Sequence, residues 1–204
     1  MSYQPSFPTF ALMAKAIAKL ILWLIGWKVN FNLPKEAERS VMIAAPHTTN
    51  WDGIMVRLAF TILGIPVKIA IKDFWTKFPM GILVKPMGGL GIDRSKKDPN
   101  KPRKSQIEQM ADFFGQHERM ALVIAPEGTR DLRKEWKMGF YHVAKKANVP
   151  ITFGYLDYEK KEAGVGGVVY PTDDVAADMK KIMDFYKNII GKYPECFSLD
   201  QRYV

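Results

Sequence analysis

Uninterrupted apolar runs alternate with helix-period segments along most of the chain. Val41 to Ala45 is apolar at every position, as in strands buried on both faces. Gly53 to Leu63 has helical spacing and stops at Gly64. Pro66 to Ile71 reads as a strand, Phe74 to Val84 as a helix interrupted around Pro79, and Gly88 to Ile92 as a short strand. Ile107, Met110, Ala111 and Phe114 mark one face of a helix, and Met120 to Ala125 is the next buried strand. Phe140 to Ala147 is helical, and Val149 to Leu156 and Val165 to Tyr170 are strands. A last helix runs from Asp173 to Ile190 with Val175, Met179, Ile182, Tyr186 and Ile189 as its apolar stripe; two aspartates suit its positive end, and Gly191 ends it. The alternation predicts an α/β fold, a mainly parallel central sheet flanked by helices. Sites in such sheets gather at the carboxyl ends of the strands.

The N-terminal stretch differs. Phe10 to Val29 is almost wholly apolar, interrupted by Lys15 and Lys19, which share a helix face at their spacing of four. Trp23 and Trp27 follow at the same spacing, and such aromatics favour the membrane interface. Two lysines inside a bilayer span cost roughly 2.5–3.5 kcal/mol each, so the stretch is read as an interfacial helix lying in one leaflet. The alternative is an ordinary core helix packed on the domain. The first ten residues carry no positive charge and no small-residue cleavage site follows, unlike a signal peptide. The division is 1–32 as a membrane-associating helix and 33–204 as a single domain.

Composition sharpens this. The chain of 204 residues supports one full core. A net charge of +9 points to an anionic partner: nucleic acid, anionic lipid or an acidic carrier. Nucleic acid loses ground, because no zinc-finger spacing, helix-turn-helix pattern or RNA-binding aromatic signature is present. The single cysteine, Cys196, cannot form an internal disulfide, which fits a reducing compartment. Three scattered histidines offer no metal-ligand spacing. His117 reads as a solvated surface residue and His142 as a packed one.

The chemistry sits directly after two predicted strands. Pro46-His47-Thr48-Thr49-Asn50-Trp51-Asp52 follows the first, and Pro126-Glu127-Gly128-Thr129-Arg130 follows Met120 to Ala125. A hydroxyl attacks a thioester poorly unless a base takes its proton, and histidine titrates in the right range. Its second nitrogen needs an acceptor, and Asp52 in the first helical turn can supply one. Gly128 permits a tight turn, Arg130 offers a planar fork for phosphate or carboxylate, and Glu127 can orient it or hold an acceptor hydroxyl. Gly88-Gly89-Leu90-Gly91-Ile92-Asp93-Arg94 allows close backbone approach, with Arg94 facing the same anion. Lys72, after another strand, can add to that phosphate site. The basic loop 94–104 has six positive residues and one acid, which suits either an anionic partner or a solvated surface.

The order His-x-x-x-x-Asp, Gly-Ile-Asp-Arg, Glu-Gly-Thr-Arg, Val-Pro-Ile resembles the glycerolipid acyltransferases of the 1-acylglycerol-3-phosphate acyltransferase family. It is most similar to short bacterial members with a Pro-His-Thr-x-Asn-Trp-Asp first motif, and the resemblance runs from about Val41 to Phe153. It implies His47 as general base and Asp52 as its orienting acid. It further implies an acceptor site of Glu127, Gly128, Thr129 and Arg130, with Arg94 and Arg130 on the phosphate. Val149, Pro150 and Ile151 match a fourth motif associated with the acyl-donor side. The implied substrates are acyl-CoA or acyl carrier protein as donor and a lysophospholipid, most readily 1-acylglycerol-3-phosphate, as acceptor. The implied reaction uses no metal, cofactor or acyl-enzyme, at the cytoplasmic face of the cell membrane, on a peripheral or monotopic protein. Pro46 replaces a frequent asparagine, Thr49 a frequent serine, and Ile151-Thr152-Phe153 lacks a common second proline. Rival readings are acylation of another lysolipid (a lyso-aminolipid or other lysophospholipid) and a non-catalytic membrane lipid-binding protein. A hydrolase lacks its Gly-x-Ser-x-Gly elbow.

Overall fold

The computed structural model describes residues 8–93 and 104–204. Seven strands form one sheet: β1 Lys28–Val29, β2 Arg39–Ala44, β3 Val67–Lys72, β4 Gly89–Ile92, β5 Met120–Ile124, β6 Ile151–Asp157 and β7 Glu162–Val169. Their order is β1-β7-β6-β2-β5-β3-β4, and all neighbours are parallel except the β6–β7 hairpin. The helices are α1 Pro8–Leu24, α2 Trp51–Leu63, α3 Gly81–Val84, α4 Gln106–Gln116, α5 Gly139–Ala147 and α6 Val175–Tyr186.

The continuous apolar runs are central strands with both faces covered. In β2, Val41 and Ile43 pack with Phe140, Tyr141, Met179 and Ile182 of α5 and α6. Met42, pointing the other way, packs with Ala59 and Phe60 of α2 and with Ala18 and Leu22 of α1. Three layers result, with α1 and α2 on one face and α4, α5 and α6 on the other. The buried hydroxyls of Ser40 and Thr152 meet at 2.8 Å across β2 and β6 and satisfy one another. Helix α4 begins on a capping box, with Ser105 accepting from the Glu108 amide and the Glu108 side chain accepting from that of Ser105.

Several boundaries differ from the sequence pattern. The first helix stops at Leu24 instead of running to Val29. The Trp27 amide donates to Leu22 O and the Gly26 amide to Trp23 O, closing the helix through a left-handed Gly26. Lys28–Val29 then joins the sheet beside Glu162 and Ala163. Trp23 and Trp27 therefore do not share a helix face: Trp23 is exposed, while Trp27 packs edge-on against Tyr158 with centroids 4.9 Å apart. Phe74 to Val84 is not one helix but a 3-10 turn, Asp73–Thr76, followed by the single turn α3, with a cis Phe78–Pro79 peptide between them. The last helix ends at Tyr186, before Gly191, and Ile190 O then accepts the Tyr158 amide. His142 is exposed instead of packed. No helix of the described residues is long and apolar enough to cross a membrane.

The segment after α6 locks the loop that follows β5. Asp200 is fully buried and accepts from the Trp136 amide and from the Arg202 guanidinium, whose Nη2 also donates to Trp136 O. Burial alone raises the Asp200 pKa, but the hydrogen bonds from Arg202 and the Trp136 amide outweigh it and hold the carboxyl below its ordinary value. A depressed carboxyl stabilises the fold above its unfolded pKa and loses that contribution as pH falls through the folded one. Asp200→Ala should cost about 3 kcal/mol at pH 7, the lower end for breaking a buried pair because Arg202 stays half-exposed. Urea unfolding at pH 7 measures it, and the difference from the parent should shrink in acid.

Candidate functional site

Strands β2 and β5 are neighbours, so their carboxyl ends deliver the two motifs side by side. After β2, a cis Ala45–Pro46 peptide leads to His47, and the chain turns into α2, placing Asp52 in its first turn. His47 Nδ1 lies 3.1 Å from Asp52 Oδ2. The same oxygen accepts the amides of Thr48 at 2.9 Å and Thr49 at 3.0 Å. An ionised carboxylate only accepts, so the imidazole proton sits on Nδ1 and Nε2 is left with its lone pair. Asp52 is buried, whereas His47 is partly open. The geometry is that of an imidazole with one reachable nitrogen, its other nitrogen fixed by a buried carboxylate.

Two other elements complete the arrangement. Tyr158, at the β6–β7 turn, donates its hydroxyl to Asp52 Oδ1 at 2.7 Å, so both carboxylate oxygens are held. Burial, and then this bond, push the Tyr158 pKa far above its ordinary value, so it stays a donor. Glu127 accepts the His47 amide at 3.1 Å through Oε1, tying the second motif to the first. Its other oxygen, Oε2, is buried with no partner among the described residues. Burial pushes the Glu127 pKa up to about 7, against the lowering effect of the His47 amide. Near neutrality this carboxyl is therefore divided between a form that only accepts and one that can donate.

Gly128 has φ +68°, and a Cβ there would come within 2.6 Å of Lys137 Nζ. The bare backbone is what lets Lys137 lie across the motif, its amide anchored on Pro126 O at 2.8 Å. Thr129 Oγ1 donates to Asp131 at 2.8 Å. Arg130 is exposed, with no ion pair among the described residues. Lys72 stands exposed at the end of β3, next to β5, without a contact to His47 or Glu127. Arg94, and the basic loop apart from Lys104, lie outside the described residues. Val149, Pro150 and Ile151 do not reach the site: Ile151 pairs with Val41 at the amino end of β2, roughly 10 Å from its other end at 3.3 Å per residue. Strand β6 reaches the site further on, through Gly154, Tyr155 and Leu156.

Those three residues help to wall a cavity of about 170 Å³ beside His47 and Asp52, between α2 and the sheet. Val56, Phe60, Ile69 and Val123 form much of the rest, so the lining is overwhelmingly apolar. His47 thus lies between an apolar cavity at one side and, through Glu127, a Glu-Gly-Thr-Arg turn at the other. A family model described as Acyltransferase matches residues 28–152. The chain belongs to the acyltransferase family.

The acyltransferase shares its fold with the crystal structure of a 1-acyl-sn-glycerophosphate (LPA) acyltransferase, PlsC, from Thermotoga maritima. The TM-score is 0.53 at 13% identity, over 86% of this chain and 75% of that one. No curated protein matches the chain significantly. Among the described residues, no cluster of histidine, cysteine or acidic side chains could hold a metal ion. Two side chains of this acyltransferase's site were not singled out from sequence. Tyr158 lies 106 residues from Asp52 with no local pattern to mark it. Lys137 had a signal, Trp136-Lys137-Met138-Gly139 shortly after the turn and just before α5.

Two outcomes follow from this geometry. Tyr158 acts through Asp52 as a positioning residue. Tyr158→Phe should lower kcat about tenfold, the worth of one hydrogen bond to a charged acceptor, with KM unchanged for both substrates. A rise in KM alone would assign Tyr158 to substrate binding instead. Glu127, with its raised pKa, stabilises the fold most below its unfolded value near 4.5 and loses on the order of 3 kcal/mol as pH climbs through 7. Glu127→Gln keeps the acceptor for His47 without the charge. It should flatten the fall in unfolding free energy between pH 5 and 8, read by urea titration at about four pH values.

Proposed function

We propose that the protein transfers a fatty acyl chain from acyl-CoA or acyl carrier protein to the free hydroxyl of a lysophospholipid, with 1-acylglycerol-3-phosphate as acceptor and phosphatidate as product. The observation that carries this reading is the His47–Asp52 contact at 3.1 Å, set between the apolar cavity and the Glu127–Arg130 turn. His47 Nε2 takes the proton from the acceptor hydroxyl as its oxygen attacks the thioester carbonyl. The tetrahedral adduct collapses, the thiolate leaves, and the imidazolium returns the proton to that sulfur. Asp52 stabilises the imidazolium in between. No bond to the enzyme forms at any step.

An acyl chain fits the cavity chemically, since each buried methylene contributes about 0.8 kcal/mol. The acceptor phosphate belongs at the turn: Arg130 supplies a fork, Lys137 a point charge, and Lys72 a further positive charge at the end of the neighbouring strand β3. Glu127 ties the turn to the base through the His47 amide, and its unpartnered Oε2 leaves one acceptor open beside His47. Helix α1 supports membrane association. It rests Ala18 and Leu22 on α2 and leaves Leu12, Met13, Ile17, Leu20, Trp23 and Leu24 exposed, a face suited to one leaflet at the cytoplasmic side.

The test is acyl transfer by the detergent-solubilised protein, with acyl-CoA and acyl carrier protein donors and a panel of lysolipids. Turnover of 1-acylglycerol-3-phosphate should fall about 10²–10⁴-fold in His47→Ala, the general-base contribution. Turnover confined to another lysolipid would keep the mechanism and change the acceptor. A fully active His47→Ala would remove the assigned base.

A further inference from the structure

Between β3 and β4 the chain presents Phe74, Trp75, Phe78, Ile82, Leu83 and Met87 to solvent. Phe78 is 85% exposed, Phe74 73% and Ile82 70%. Single exposed apolar side chains are ordinary on a protein surface, but a contiguous group this large marks a contact surface.

The segment is built, not frayed. The Thr76 hydroxyl donates to Asp73 O at 2.7 Å, and Lys77 pairs with Asp73 at 2.9 Å. The Gly81 amide donates to Lys77 O at 2.7 Å, and a Cβ at 81 would meet Thr76 O at 2.2 Å, so only glycine allows the fold-back. The Val84 amide bonds to Met80 O and the Gly88 amide to Lys85 O, returning the chain to β4. A compact projection thus holds its polar backbone inward and its large apolar groups outward.

Its place and charge select the occupant. It leaves β3 at the carboxyl end of the sheet, the end that carries His47 and Glu127. Ile69 of β3 is both 43% exposed and part of the cavity wall, so the strand that leads into the projection carries an exposed apolar side chain at the cavity. Four lysines against two aspartates lie between Val67 and Asp93, with Lys72, Lys77 and Lys85 all exposed. A second copy of the chain would set these lysines against lysines. An anionic phospholipid surface meets them with headgroup charge and accepts Phe and Trp at its interfacial depth.

We infer that residues 73–87 form a second membrane contact, distinct from α1, which seats the rim of the catalytic cavity in an anionic leaflet. The contact rests on the lysolipid reading above, and it deepens that reading by giving the acceptor a path from the bilayer to His47 that avoids water.

The test reads membrane insertion directly and needs no turnover. In full-length protein carrying Cys196→Ser, Phe78→Cys is labelled with a polarity-sensitive fluorophore. Vesicles of phosphatidylcholine containing about one-third phosphatidylglycerol should shift its emission to the blue, and a lipid-borne quencher should dim it. In unlabelled protein, Phe74→Ser, Phe78→Ser and Ile82→Ser together should weaken binding to the same vesicles roughly tenfold with α1 intact. Protein that sediments with vesicles while the label at 78 stays water-exposed would overturn the inference. So would a blue shift that depends on protein concentration without vesicles, which would make a second copy the occupant. If the shift appears but no lysolipid is acylated, the contact stands and the acceptor reading fails.

Discussion

The site depends on the saturation of one carboxylate. Asp52 accepts two backbone amides and an imidazole on one oxygen and a phenol on the other. The donors come from two stretches of chain, the turn after β2 and the β6–β7 hairpin, and meet on an acid at the start of α2. A buried carboxylate is costly without partners, and here the partners come from separate parts of the fold that the carboxylate holds in register. Satisfying the charge and fixing the His47 ring are the same act. Glu127 extends the arrangement on the other side of His47, but with one oxygen left open. The contrast is chemically sensible. Under the proposed reading, the carboxylate that fixes the imidazole is held on both oxygens, whereas Glu127 keeps one acceptor open.

Parallel strands give this economy its frame. Because β2 and β5 run side by side in the same direction, two short motifs about eighty residues apart in sequence end at the same level. The apolar cavity lies below them, between α2 and the sheet, and the cationic turn lies beside them. An amphipathic substrate needs both environments within the length of one molecule, and the carboxyl edge of the sheet supplies them without any separate domain.

Much of this was legible in the sequence because it is local or strand-borne. Val41–Ala45 and Met120–Ala125 announce themselves as buried strands by being apolar throughout, and His47 and Asp52 are close enough for one turn to join them. Gly128 signals its own tight turn. What could not be read depends on tertiary return. Tyr158 reaches Asp52 only because β6 and β7 form a hairpin at that level of the sheet. Trp27 looked like a continuation of the α1 stripe, since helical spacing does not show where a left-handed glycine will close the helix. The polar residues and glycines between Phe74 and Gly88 are few, so an apolar pattern there suggested a helix; the backbone instead folds into tight turns with the apolar groups outside. Val149-Pro150-Ile151 was legible as a motif, yet its place at the start of β6 shows that it sets up a strand whose later residues meet the cavity.

The ring contact between Trp27 and Tyr158 has a kinetic side. Strand β1 pairs with β7, and Tyr158 with Asp52, across separations of more than a hundred residues. Contacts so distant in sequence close the longest loops of the fold and raise its contact order, which slows folding as a whole. His47 and Asp52 share one turn, but the phenol that holds the second carboxylate oxygen is delivered by the β6–β7 hairpin. The full arrangement around Asp52 therefore belongs to the assembled sheet and not to the local turn.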